Sequence, residues 1–83
     1  MNIDKLTDNQ IIDIIMNGDN DIMKESMYMA LNGIYGVKAD RCQLMKYARQ
    51  ALKENKTLYC AFDDGETCDD KYKNQPHFVF WTE

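Results

Sequence analysis

The spacing of apolar residues in this chain changes period once, at Lys56, and that change dictates the class of fold. Before Lys56 apolar side chains recur at helical spacing, about 3.6 residues; after it they alternate with a period of about 2. A sequence written for one period does not settle into the other, so helices come first and strands last.

Three helices are marked by their caps. Thr7 as N-cap and Gln10 three residues on form a capping box, with Leu6 and Ile11 placed as a hydrophobic staple. Ile11, Ile12, Ile14, Ile15 and Met16 follow, and Gly18 offers a left-handed stop. Asp19 or Asn20 caps the second helix. Its apolar arc through Ile22, Met23, Met27, Met29, Ala30 and Leu31 spans roughly 200°, which predicts the central helix of the domain. That helix ends between Gly33 and Gly36. Asp40 starts the third helix, with Gln43 at the capping-box position; Leu44, Met45, Tyr47, Ala48, Ala51 and Leu52 share one face, and Asn55 marks the stop.

Residues 57–62 then alternate Leu58, Cys60 and Phe62 against Tyr59 and Ala61, and residues 77–82 form a second, aromatic-rich strand candidate. Pro76 biases Gln75 toward an extended backbone. The polar stretch 63–75, with Gly65 as a turn residue, joins the two as an antiparallel hairpin. The expected fold is α+β: a three-helix cluster packed on a C-terminal two-stranded antiparallel β-hairpin, in the order α-α-α-β-β.

At 83 residues the chain is long enough for one small globular domain, residues 1–83, and for no deep substrate pocket. No apolar run approaches the ~20 residues that span a bilayer, and the first residues lack the basic and apolar regions of a signal peptide, so a cytoplasmic protein without membrane association is expected. Cys42, Cys60 and Cys68 are odd in number and lack short pairing, which argues for reduced thiols.

Charge is sorted by segment. Residues 1–39 carry a net of −3, residues 40–56 a net of +3 and residues 57–83 a net of −4. The basic segment contributes a stripe on the third helix, Lys46, Arg49 and Lys53, with Lys56 near its end; a stripe of this kind is either a solvated helix face or a patch for an anionic surface. The acidic counterpart is Asp63, Asp64, Glu66, Asp69 and Asp70 at the hairpin tip. An EF-hand loop beginning at Asp63 would need Gly where Cys68 stands and a carboxylate where Asn74 stands, which excludes that calcium motif. Cys60, Cys68 and His77 lack paired zinc-ligand spacing. A Cys68–His77 nucleophile is disfavoured because neighbouring acids raise a thiol pKa. With no phosphate loop, nucleophile elbow or metal motif, neither an enzyme nor a cofactor is expected.

Aligning Gly36 with the turn glycine of a helix-turn-helix puts Leu31, Tyr35, Val37, Cys42 and Met45 at positions that family keeps apolar. Residues 31–47 therefore resemble a winged-helix motif. The resemblance implies a recognition helix reading bases from near Lys38, Asp40, Gln43 and Tyr47, with the hairpin as wing. Asn32 stands where that family prefers a small residue, and the wing carries five acids against Lys71 and Lys73, which repels phosphate. The sign of that loop favours a small acidic protein that binds and modulates or inhibits a partner protein, with the acidic loop against a basic surface such as a nucleic-acid channel. In size and lack of sites the chain also resembles the small accessory and anti-defence proteins of phages, acting in the host cytoplasm. The alternatives are a DNA-binding regulator using the basic third helix and a homodimer joined through the hairpin edge or the methionine face.

Overall fold

The computed structural model of the chain describes residues 2–33, 36–63 and 76–83. A 3₁₀ turn at Ile3–Lys5 leads into α1 (Asp8–Met16), α2 (Asp21–Asn32) and α3 (Arg41–Glu54), followed by β1 (Leu58–Asp63) and β2 (His77–Thr82). The strands pair antiparallel in a two-stranded sheet. The order α-α-α-β-β matches the single change of period in the sequence.

Local chemistry sets the helix ends. The Thr7 hydroxyl accepts from the Gln10 amide at 3.2 Å while Gln10 Oε1 accepts from the Thr7 amide at 2.8 Å, a complete capping box. Asn20, not Asp19, caps α2: its Oδ1 accepts from the Met23 amide, and its side-chain amide donates to Thr57 Oγ1 at 3.0 Å. Asp40 Oδ1 accepts from the amides of Cys42 and Gln43 at the start of α3. Asn55 ends α3 in the left-handed region, φ 55° and ψ 45°. The expected left-handed stop at Gly18 is not used: among the described residues positive φ is found at Gly33, Gly36 and Asn55. Instead the Asn17 side chain donates to the Asp13 carbonyl at 2.9 Å and the Gly18 amide donates to the Ile15 carbonyl at 3.2 Å. With those carbonyls satisfied, α1 closes without a reversed residue.

Ile11, Met27, Leu44 and Leu58 are the largest fully buried side chains, one from each helix and one from β1. Ile15, Met23, Ala30, Met45, Ala48, Ala51, Phe78 and Phe80 complete the cluster around them. The hub is α3, which packs against the 3₁₀ turn, α1, α2 and both strands. The second helix packs on α1, on α3 and, most extensively, on β1, as its wide apolar arc suggests. It turns Met23, Ser26, Met27 and Ala30 inward, a stripe at helical spacing, and leaves Ile22 49% exposed. Among the described residues no buried side-chain nitrogen or oxygen lacks a hydrogen-bond partner.

The hairpin has two unlike faces. Leu58, Cys60 and Phe62 lie opposite Thr82, Phe80 and Phe78, and these side chains turn toward the helices. Tyr47 of α3 stacks on Phe80 at a centroid separation of 6.3 Å, and Phe62 meets Phe78 edge-on at 5.5 Å. The alternate residues form the outer face in the cross-strand pairs Tyr59–Trp81, Ala61–Val79 and Asp63–His77. Thr57 and Glu83 exchange both backbone hydrogen bonds, at 2.8 and 3.1 Å. By the alternation of antiparallel ladders, the outer-face pairs are therefore the hydrogen-bonded rungs.

Gly33 and Gly36 both have positive φ, 77° and 78°, but a Cβ at Gly33 would stand 2.6 Å from the Val37 carbonyl oxygen, whereas one at Gly36 meets nothing within 4 Å. Gly36→Ala is expected to cost about 1 kcal/mol of backbone preference. Gly33→Ala, which adds a backbone clash, is expected to cost about 3 kcal/mol or more. Urea unfolding of both variants measures the difference; equal midpoints would show that the α2–α3 connection relaxes freely.

Candidate functional site

Two members of the basic stripe, Arg49 and Lys53, hold the beginning of the chain. Arg49 donates from one guanidinium nitrogen to the Ile3 carbonyl at 2.8 Å and from the other to Asp8 Oδ1 at 3.0 Å. Lys53 Nζ lies 2.9 Å from both carboxylate oxygens of Asp4. Arg41 Nε approaches Asp8 Oδ2 at 3.9 Å, and Lys56 reaches Glu54 at 4.0 Å. Lys46 Nζ sits 5.8 Å from the centroid of the Tyr47 ring. A shallow depression of about 450 Å³ lies among Asp4, Lys46, Arg49, Gln50, Lys53 and Glu54, so carboxylates and cations share its lining.

These contacts differ in weight. The Lys53–Asp4 pair is solvated on both sides, with side-chain exposures of 49% and 62%, and such pairs contribute roughly 0–1 kcal/mol. Arg49 is only 22% exposed and holds a main-chain carbonyl as well as a carboxylate, so it is the structural member of the stripe. Ile3 and Leu6 pack against the core on either side of this fastening.

The helix-turn-helix positions are divided. Met45 is buried, Leu31 and Val37 are half-buried, and Cys42 is exposed; Tyr35 lies outside the described residues. Of the base-reading set, Asp40 is committed to capping α3 and Tyr47 to stacking on Phe80, while Lys38 and Gln43 face solvent. The segment from Gly33 to Asp40 separates α2 from α3, longer than the turn of three or four residues typical of that motif.

Of the acidic loop, Asp63 ends β1 opposite His77, and Asp64, Glu66, Asp69 and Asp70 lie outside the described residues. Within the described hairpin, residues 57–63 and 76–83, the acids are Asp63 and Glu83, with no Lys or Arg. The outer face carries the one tryptophan of the chain: Trp81 stacks on Tyr59 at 5.6 Å and 9° between planes, and remains 38% exposed.

Cys60 and His77 sit on opposite faces of the sheet, which separates two of the three candidate zinc ligands; the third, Cys68, lies outside the described residues. Among the described residues no group of three His, Cys, Asp or Glu side chains is placed to hold a metal ion. Burial raises the Cys60 thiol from its ordinary value to about 11. No described helix is long and apolar enough to cross a membrane.

Comparison with models of known families, with curated proteins and with solved structures returns no match.

Two outcomes follow from these environments. Arg49→Met is expected to lower stability by roughly 1–3 kcal/mol, since it leaves a half-buried attachment unmade, and Lys53→Met by under about 0.5 kcal/mol. Equal losses in urea unfolding would show that charge alone holds the segment. Thiol labelling at pH 8 is expected to modify exposed Cys42 quickly and Cys60 only on unfolding, because a thiol with a pKa of about 11 is about one part in a thousand thiolate there. The unfolded thiol ionises near 9.0 and the folded one near 11, so this contribution to stability is full below pH 9 and lost as pH rises through 11. Peptide mapping of the labelled protein checks the order of reaction.

Proposed function

We propose that this chain is a non-enzymatic binding protein that engages a partner protein through its acidic hairpin and thereby modulates or inhibits it. The observation that carries this reading is the internal pairing of the basic stripe. Arg49 and Lys53 are taken up by Asp8 and Asp4, so the basic segment largely balances the acidic N-terminal one. Residues 57–83 keep a net charge of −4 in sequence, with Asp64, Glu66, Asp69 and Asp70 beside Lys71 and Lys73 in the segment that joins the two strands.

A surface of one sign steers encounter with a surface of the other and discriminates against like-charged partners. The fitting partner is a protein with a basic surface of the kind that binds nucleic acid, and occupation of that surface would compete with its ligand. An accessory or anti-defence protein of the phage type, working in a host cytoplasm, is the setting this activity suits. The DNA-binding alternative would have to recruit Arg49 and Lys53 away from their carboxylates and bring an acidic wing toward phosphate.

The test is affinity capture with the tagged chain from a bacterial lysate, followed by identification of the captured protein and binding to it in purified form. Changing Asp63, Asp64, Glu66, Asp69 and Asp70 to Ser is expected to abolish that binding; undiminished binding would remove the loop from the mechanism. A gel-shift series over salt separates the alternative: no DNA retardation is expected, and retardation that strengthens as salt falls would transfer the function to the third helix.

A further inference from the structure

We infer that the stacked Tyr59–Trp81 pair on the outer face of the hairpin is an anchor for an arginine or lysine side chain of the partner, with Glu83 as the flanking carboxylate. This inference rests on the protein-binding reading above and names the chemistry the partner presents.

The position of the pair follows from the register. Tyr59 and Trp81 face each other across a hydrogen-bonded rung, and both project from the face turned away from the helices. The near-parallel stack, 9° at 5.6 Å, fixes the indole against the phenol while Trp81 stays 38% exposed. On one side the next rung is Ala61–Val79, whose small side chains leave the aromatic pair standing above the sheet. On the other side the chain runs on to the Thr57–Glu83 rung, where Thr57 turns its hydroxyl to Asn20 and Glu83 is exposed two residues beyond Trp81, about 7 Å along the chain.

The charge around the pair selects the ligand. The face of an indole attracts a cation through its quadrupole, and a guanidinium also stacks flat on it. Tyr47 on α3 has Lys46 near its ring, but the described strands hold no Lys or Arg to serve Trp81. A neighbouring carboxylate favours a cationic side chain over an apolar one of similar size, and the chain's net charge of −4 acts in the same direction.

Trp81 makes the test direct, because it is the single tryptophan and its emission reports on the site. The probes are a short arginine-rich peptide, its lysine counterpart and a citrulline copy of the same length, which keeps the shape and removes the charge. A saturable change in emission is expected with the arginine and lysine peptides and none with the citrulline copy. Dye-labelled arginine peptide followed by anisotropy then compares variants. Trp81→Leu is expected to bind roughly two- to fivefold more weakly, and Trp81→Phe to retain part of that loss. Glu83→Gln, which leaves the aromatic pair intact, is expected to weaken binding as well, with circular dichroism checking that each variant is folded.

Equal binding of the citrulline copy, or wild-type affinity in folded Trp81→Leu, would overturn the inference. If the loop-to-Ser variant loses the peptide while Trp81→Leu keeps it, the anchor fails and the acidic-hairpin reading survives. If Trp81→Leu loses the peptide while loop-to-Ser retains the captured partner, the anchor survives and the loop's role fails. A shift of Trp81 emission with protein concentration alone, matched by dimer in sedimentation, would assign the face to a second copy of this chain and overturn the inference.

Discussion

A two-stranded sheet is at best marginally stable in water, so the hairpin exists here because the helices take one of its faces. Leu58 is fully buried and Phe78 and Phe80 nearly so, and each apolar side chain removed from water contributes about 1.5–3 kcal/mol. The route that delivers Leu58 is short. Asn55 reverses the chain in the left-handed region, the Lys56 amide donates to the Ala51 carbonyl at 2.8 Å, and Thr57 is tied to the cap of α2 by Asn20. Tyr47 then meets Phe80 from α3. Once the inner face is committed in this way, strand alternation turns Tyr59, Ala61, Val79 and Trp81 outward.

The parts of this fold that were legible in the sequence are those governed by neighbours along the chain. Thr7 with Gln10, Asn20, Asp40 and Asn55 each satisfy backbone groups within three or four residues, and the alternation around Leu58, Cys60 and Phe62 sets which face is inward. Gly18 misled because a glycine after a helix permits a left-handed stop without requiring one, and Asn17 supplied another means of satisfying the last carbonyls. Ile22 misled because the width of an apolar arc does not say how much of it a neighbour covers. The partners of the stripe were invisible for a different reason. Arg49 and Asp8 are 41 residues apart and Lys53 and Asp4 are 49 apart, and no local pattern encodes which distant charge an exposed cation meets. The one available hint was the opposite sign of the two segments.

That pairing also changes how the segment charges are to be understood. A run of cations on a helix invites a polyanion, yet here Asp8 and Asp4 of the same chain pair with two of its members, Arg49 and Lys53. The remaining face of the hairpin combines aromatic surface with carboxylates and without a described Lys or Arg. Two of the first acids thus help to close the fold, whereas the outer face of the hairpin is aromatic.

The fastening of the 3₁₀ turn has a consequence for how the molecule loosens. Most of the domain is held by apolar burial, which ordinary salt scarcely alters, whereas the turn depends in part on half-exposed ion pairs that dissolved ions screen. Ile3 and Leu6 are only partly covered, so this end has little burial of its own to fall back on. Rising ionic strength should thus lower the free energy of local opening at one end while the global unfolding transition hardly moves. The chain contains a segment whose attachment is set by its medium, joined to a core whose cohesion is set by its sequence.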